Sequence, residues 1–286
     1  MDIYNQQFKD KNLVISAKTK SIFYDKHWGP LSLKFSISGN EHYHTCHSIY
    51  TVDESNFLLL NQDTEYSSYI DAEKEVESFT LNFNNQYINT FYAGLIGKSE
   101  DMLDNNLLKV LPIPVFVERL YKRDDIIFPV VSKIYQRLNG FYDRNDEVAE
   151  LFMQLFHALL KHNAGINKEI ETIRKTKAST RQELYRRLNY AKDYIDSCYA
   201  EDINLDDIAA IACLNREYFI RQFKNYFHIT PAQYVMSKRM QQAKHLLQTT
   251  GIGISEVCQR VGYSDLSSFG KLFRRYYKVS PTTMKR

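Results

Sequence analysis

Residues 213–231 read CLNREYFIRQFKNYFHITP, and residues 262–281 read GYSDLSSFGKLFRRYYKVSP. The identities are few, but Phe219, Phe223 and Pro231 return as Phe269, Phe273 and Pro281. The surrounding grammar returns too. Asn204 can cap a helix through LDDIAAIA, Cys213 and Leu214 make a tight break, and Asn215 can cap a second helix with Phe219 and Phe223 inward at i, i+4. Thr230 before Pro231 is a cap followed by proline at the first helical position, so a third helix starts there. In the second copy Ile254 opens a short helix, ISEVCQRV, and Gly262 supplies the break, where a positive φ is tolerated. Ser264 can cap the helix carrying Phe269 and Phe273, and Ser280 with Pro281 starts the last one. The offset is 49 residues before the turn (Ile208 to Val257) and 50 after it (Phe219 to Phe269), so the second turn is one residue longer.

Short helix, tight turn, and second helix with basic residues on its outer side make a helix-turn-helix, expected twice, at about 205–227 and about 254–277. In such a module the first helix braces the second, which can enter a major groove with its N-terminal side chains on base edges. Residues 232–250 between the copies would form an α-helix about 28 Å long at 1.5 Å per residue. Successive turns of one major groove are about 34 Å apart. A stiff helix of that length can hold two reading heads one groove turn apart. The copies are head-to-tail, so one chain need not read a palindrome.

Charge favours the same end of the chain. The net charge is +3, but from Arg181 onward there are 17 Lys and Arg against 10 Asp and Glu, whereas the first 180 residues hold 20 against 24. A neutral-to-acidic front and a basic back suggest that the back meets a polyanion. The four cysteines, Cys46, Cys198, Cys213 and Cys258, form no CxxC pair, which speaks against a disulfide framework or a zinc site. No run reaches the roughly 18 apolar residues of a membrane span, and MDIYNQQFKDKNLVIS lacks the pattern of a secretory leader. The expectation is a cytoplasmic, nucleoid-associated protein with no membrane partner. No GxSxG, GxGxxG or phosphate-loop pattern occurs, so no enzyme activity, cofactor or metal is expected.

The front reads as β. In LSLKFSIS, Leu31, Leu33, Phe35 and Ile37 share one face and polar residues the other. HSIYTV and NFLLLN flank a turn at DES, and FTLNF alternates again, which suggests a small sandwich or barrel. Past Pro112 and Pro114 the period changes. Val148, Leu151, Phe152, Leu155, Phe156, Leu159 and Leu160 form the stripe of an amphipathic helix, with Asn163 and Gly165 as stop signals. The stripe can cover the sheet, form a homodimer contact, or both. Residues 166–180 are highly charged and read as a linker, and Thr180 with Glu183 has capping-box spacing for a further helix. The expected class is α+β, with a front domain at 1–165 and an all-α domain at 181–286.

The motifs LDDIA, FIRQFK, ITPAQYV, KRMQQAKHLLQTT, ISEVCQRVGYSD, SFGKLFRR and VSPTTM make residues 184–286 resemble the AraC/XylS family of bacterial transcription regulators. More loosely, NFLLLNQDTEYSSYI resembles the cupin-like sensory barrel common in that family. The resemblance implies two DNA-reading modules joined by a long helix, behind a cupin-like β-barrel for effector sensing, self-association or both. It implies double-stranded promoter DNA and RNA polymerase as partners, a possible small-molecule effector, and an activator. By position, the base-facing residues are Glu217, Ile220 and Arg221 in the first module and Leu266, Ser267, Gly270 and Lys271 in the second; Arg216, Tyr218, Arg274 and Arg275 are for the DNA backbone. His228 and Lys278 stand where the family commonly has glycine, and of the two His tolerates a left-handed backbone better. The alternative is a cupin-type metalloenzyme or metal sensor fused to the DNA-binding module, because HYHTCH brings together His42, His44 and His47. A strand and turn with surface histidines is favoured over it. A methyl-acceptor repair protein would need several thiolates in the front half, where Cys46 stands alone.

Overall fold

A computed structural model describes residues 2–8, 10–46, 48–96, 115–124, 126–138, 145–171 and 178–285. The chain divides into two compact units, Met1–Gln182 and Glu183–Arg286. Pro112, Pro114 and His47 fall outside the described residues. No described helix is long and apolar enough to cross a membrane.

The described residues of the first unit form one antiparallel sheet and three helices ahead of residue 172. Its strands are β1 (Asp2–Gln7), β2 (Leu13–Gly29), β3 (Ser32–Ser38), β4 (Glu41–Thr45), β5 (Ile49–Val52), β6 (Asn56–Leu60), β7 (Thr64–Asn82) and β8 (Leu120–Lys122). The order is β1-β2-β7-β3-β6-β8, with β4 pairing β7 and β5 pairing β4. Among the described residues no ladder joins β1 to β8. The sandwich or cupin-like barrel expected of the front half is thus an antiparallel sheet that is open among the described residues. Register shifts in the β2–β7 ribbon, between Thr19 and Ser21 and between Tyr24 and His27, bend it, since a bulge raises local twist. The two halves of β7 take different neighbours on their second side: Tyr66 to Tyr69 pair with β4, and Glu77 to Asn82 with β3. A strand shared this way folds the sheet over itself without needing closure.

The period-two pattern of β3 holds, and both of its sides are buried. Leu33 and Phe35 lie in register with Leu59 and Phe57 of β6 and with Leu81 and Phe79 of β7, all buried. Ser32, Lys34 and Ser36 on the opposite side are buried as well. Lys34 Nζ donates to Tyr66 Oη at 2.8 Å and lies 4.7 Å from the Tyr66 ring centroid. Burial raises the Glu41 carboxyl above the usual range, against the pull of Tyr43, Lys34, Ser68 and Ser78. The polar side of β3 thus belongs to a buried polar belt, in which Lys34 is bonded to Tyr66 while Ser32 Oγ and Glu41 Oε2 have no hydrogen-bond partner among the described residues, and one strand's alternation cannot distinguish such a belt from a solvated face.

The helices are α1 (Asn85–Ile96), α2 (Phe128–Leu138) and α3 (Asn145–Glu171). The α3 stripe is spent inside its own unit. Phe152 packs on Phe8 and Phe83 with centroids 6.1 and 5.3 Å apart, and Phe156 packs on Phe83 and Phe91 at 5.9 Å each. Each buried ring contributes roughly 1.5–3 kcal/mol relative to exposure. Of the two roles expected for this stripe, covering the sheet is the one seen: Val148, Leu151, Phe152, Leu155, Phe156 and Leu159 are buried, and of the stripe only Leu160 is partly exposed. Asn163 and Gly165 do not stop the helix. Ile166, the next residue, is buried, and its burial outweighs the roughly 1 kcal/mol that glycine costs in a helix.

Of the expected linker 166–180, residues 166–171 end α3, 172–177 lie outside the described residues, and 178–180 begin α4 (Ala178–Cys198). Thr180 is therefore inside α4 and is not its cap. Glu183 accepts instead from Arg186 and Arg187, at 2.5 and 2.8 Å.

The second unit continues with α5 (Leu205–Ile211), α6 (Arg216–Phe227), α7 (Pro231–Thr249), α8 (Ile254–Arg260), α9 (Leu266–Tyr277) and α10 (Pro281–Met284). It has two cores. Leu184, Leu188, Ala191 and Ile195 of α4 pack with Ile208, Ala209, Ala212, Phe219 and Phe223. Met240, Ala243 and Leu247 of α7 pack with Val257, Cys258, Val261, Phe269 and Phe273. The repeated object is thus three helices, with α4 serving the first copy as α7 serves the second.

Candidate nucleic-acid interface

The two modules share helix lengths and turn bonds, although α8 starts on Gly253 with no side-chain cap where α5 has Asn204. Asn204 Oδ1 accepts from the amides of Asp206 and Asp207, and Asn215 Oδ1 from that of Tyr218, which satisfies amides that a helix start leaves open. Thr230 and Gln233 form a capping box at the start of α7, and Ser280 caps α10. The short helices have 7 residues each and the following helices 12 each. The turns match at their first positive-φ residue: Cys213 has φ 50° and Gly262 φ 80°. Leu214 N donates to Ala209 O at 3.1 Å, and Tyr263 N to Cys258 O at 3.0 Å. The extra residue of the second turn follows this bond. It moves the helix start along by one, so Asp265, not Ser264, caps α9, accepting from the amides of Ser267 and Ser268. Both 12-residue helices end on a left-handed residue, His228 at φ 63° and Lys278 at φ 64°.

Each 12-residue helix is pinned by its buried pair, Phe219 with Phe223 and Phe269 with Phe273, centroids 5.4 and 5.8 Å apart. That pinning decides what faces outward. On α6, Arg216, Glu217 and Arg221 are exposed. Arg216 Nη1 pairs with Asp206 at 2.9 Å, but both side chains are largely in water, so the pair contributes little and leaves Arg216 available. Arg221 lies 5.3 Å from the Tyr218 ring, which props it away from the core. Tyr218 is half-buried. Ile220 is also half-buried, packed against the first core, so its access to a base edge is limited.

On α9, Leu266, Ser267, Lys271, Arg274 and Arg275 are exposed, with Leu266 47% accessible at the first position. Around Gly270 nothing lies within 4 Å of where a Cβ would sit. The start of α9 is therefore smooth and partly apolar, and its end is basic. Exposure also picks out Lys224, Asn225 and Ser268, which positional reasoning passed over; the signal was available, since all three fall opposite the phenylalanine pairs.

The scaffold beneath the heads is polar and half-buried. Asp196 of α4 accepts from Lys192 at 2.7 Å and pairs with Lys238 of α7 at 2.9 Å, and Tyr234 Oη donates to it at 2.9 Å. Burial alone would raise this carboxyl; Lys192 and Lys238 outweigh it and hold it below the usual range. Arg239, one residue on, has its guanidinium carbon 5.2 Å from the Tyr263 ring. Neither residue has a role legible in the sequence: Arg239 lies inside KRMQQAKHLLQTT and Asp196 in no motif, and each acts through a contact that only the folded chain creates.

In the first unit, His42 and His44 of β4 lie against Tyr69, with ring centroids 4.8 and 5.5 Å apart, and His42 Nδ1 is 3.1 Å from Thr51 Oγ1. No group of three or more His, Cys, Asp or Glu able to hold a metal occurs among the described residues.

Residues 208–286 match a family described as "Helix-turn-helix domain". The chain is 27% identical over 187 residues to the probable transcriptional regulator LumQ of Photobacterium leiognathi, covering 62% of this chain and 71% of that one. It is 29% identical over 99 residues to the Msm operon regulatory protein of Streptococcus mutans, covering 35% and 36%. It is 30% identical over 135 residues to the HTH-type transcriptional activator RhaS of Escherichia coli, covering 47% and 44%. The match thus spans less than half the length of the last two relatives.

Proposed function

We propose that this chain, whose residues 208–286 match a helix-turn-helix domain family, is a sequence-specific DNA-binding transcription regulator of the AraC type and not an enzyme. It reads two successive major-groove segments, with α6 in one and α9 in the next. The observation that carries this reading is the duplication: two modules with equal helix lengths and matching turn bonds, on one 19-residue helix. Arg221 and Glu217 read base edges from α6. From α9, Ser267 and Lys271 do so, and Leu266 offers an apolar contact suited to a thymine methyl. Arg216, Tyr218, Arg274 and Arg275 hold the phosphates, which set register without reading sequence.

The domain assignment we propose is 1–165 for sensing and 181–286 for DNA. The buried Lys34, Glu41, Tyr43 and Tyr66 inside the bent sheet support a sensing role, since they supply both signs of charge and hydroxyls toward a small organic effector. The regulator acts as an activator in contact with RNA polymerase; the naming of RhaS as an activator supports the first point. It works in the cytoplasm at the nucleoid. If the chain forms a homodimer through α3, it uses the outward face with Met153 and His157, because the inner stripe is occupied.

The test is selection by the full-length protein from a random DNA duplex library, followed by titration of the selected duplex at two salt concentrations. A sequence with two short blocks about one helical turn apart is expected, bound more weakly at higher salt. No enrichment, or affinity indifferent to salt, overturns the reading.

A further inference from the structure

Three backbone carbonyls from two separate segments converge on one side chain of the connecting helix. Arg239 donates from Nε to Tyr199 O at 2.7 Å, from Nη2 to Glu201 O at 2.8 Å and from Nη1 to Gly262 O at 3.0 Å. Tyr199 and Glu201 lie just past α4, the scaffold helix of the first module. Gly262 lies in the turn of the second. The same two segments also touch directly: a Cβ on Gly262 would come within 2.4 Å of Ala200 O. This contact, added to φ +80°, explains why glycine stands here while Cys213 is accepted in the first turn. Tyr234 and Lys238, both bonded to Asp196, clamp the first half of α7 to α4 on the same side. Met240, Ala243 and Leu247 then give its second half to the second core.

A connecting helix alone fixes the distance between two reading heads. It does not fix their relative rotation, because long helices bend and the second module could rock about its own core. Rotation needs a contact off the helix axis, and Arg239 supplies it. We propose that Arg239 is a positioning residue that sets the rotational phase of the second reading head against the first, and so determines the half-site spacing this protein accepts in DNA. The chemistry requires a guanidinium. Its planar fork presents five donors in fixed directions, whereas a lysine is a point charge on a flexible stem. Phase matters because one added base pair moves the second half-site by about 3.4 Å along the duplex and about 35° around it. Locked heads cannot follow that move, and loosened heads can.

This inference rests on the DNA-reading function proposed above. The experiment uses full-length wild-type, Arg239→Gln and Arg239→Lys proteins. The probes are the duplex selected by the wild type, the same duplex with one base pair inserted or removed between the blocks, and each block alone. For the wild type, a one-base-pair change should weaken binding by about tenfold or more, the scale of a lost base contact. Both variants should bind single blocks as the wild type does, yet distinguish the spacings by no more than about threefold. Wild-type discrimination retained by both variants overturns the proposal. So does an equal loss on every probe, or failure of both variants to fold, because Arg239 would then serve stability alone. If the wild type enriches no duplex, the DNA-reading function itself fails, and the inference falls with it.

Discussion

Single side chains separate what a reading head does from what it rests on. Arg221 is exposed and propped by Tyr218, so it can present two parallel donors to a guanine edge, a contact of roughly 1–3 kcal/mol in discrimination. Lys271 is exposed but can serve a base or a phosphate equally. Arg221→Ala should therefore cost more on the selected duplex than on scrambled DNA, and more than Lys271→Ala does; equal losses on both duplexes would make Arg221 a backbone contact. His228 and Lys278 were legible as departures from a glycine position, and both do adopt left-handed backbone. Lys278→Gly should relieve about 1 kcal/mol and raise the melting temperature of the second unit by a few degrees, measured by calorimetry. Asp196 was not legible, because Tyr234 and Lys238 reach it from 38 and 42 positions away in sequence. Its folded carboxyl lies below the unfolded value of about 3.9. Its contribution is in place above that pH and is lost as pH falls through the lower folded value. Asp196→Asn should cost roughly 3 kcal/mol at pH 7, by leaving Lys192 and Lys238 without their partner, and should flatten stability below about pH 4. An unchanged acid limb in urea melts followed by circular dichroism would contradict this.

Whole elements were legible wherever local signals agreed. In the second unit, caps, inward phenylalanines and proline starts all fall within a few residues of each other, and the starts of α5, α6, α7 and α10 came from them. The α9 start slipped by one because Ser264 and Asp265 are both good caps, and the longer turn chose between them. The first unit was harder, since its elements are defined by partners far along the chain. Alternation in β3 marked its two sides correctly, but whether the polar side met water depended on how β7 bends. The α3 stripe likewise announced an apolar face without saying what covers it. Phe8, Phe83 and Phe91 cover it, so Leu155→Glu should unfold the first unit and not merely split a dimer. A charge in that core costs several kcal/mol. Circular dichroism and light scattering on the full-length variant check this: a folded, monomeric Leu155→Glu protein would show that the stripe is an assembly surface after all.

At the scale of the whole molecule, charge and repetition lie in the same half. The second unit follows an excess of 17 basic over 10 acidic residues from Arg181 onward, and the basic ends of α6 and α9 carry part of it. Each phosphate contact contributes about −0.9 to the slope of log affinity against log salt. Arg274→Ala should therefore weaken all duplexes alike and make that slope shallower by about one unit. The central claim is that α6 and α9 occupy successive turns of one major groove, held by α7 on one face of the DNA. Hydroxyl-radical and guanine-methylation footprints of the full-length protein on its selected duplex test this most directly. Two protected major-groove patches, centred about 10 base pairs apart on the same face, are the predicted result. A single patch, or two patches on opposite faces of the duplex, would contradict it.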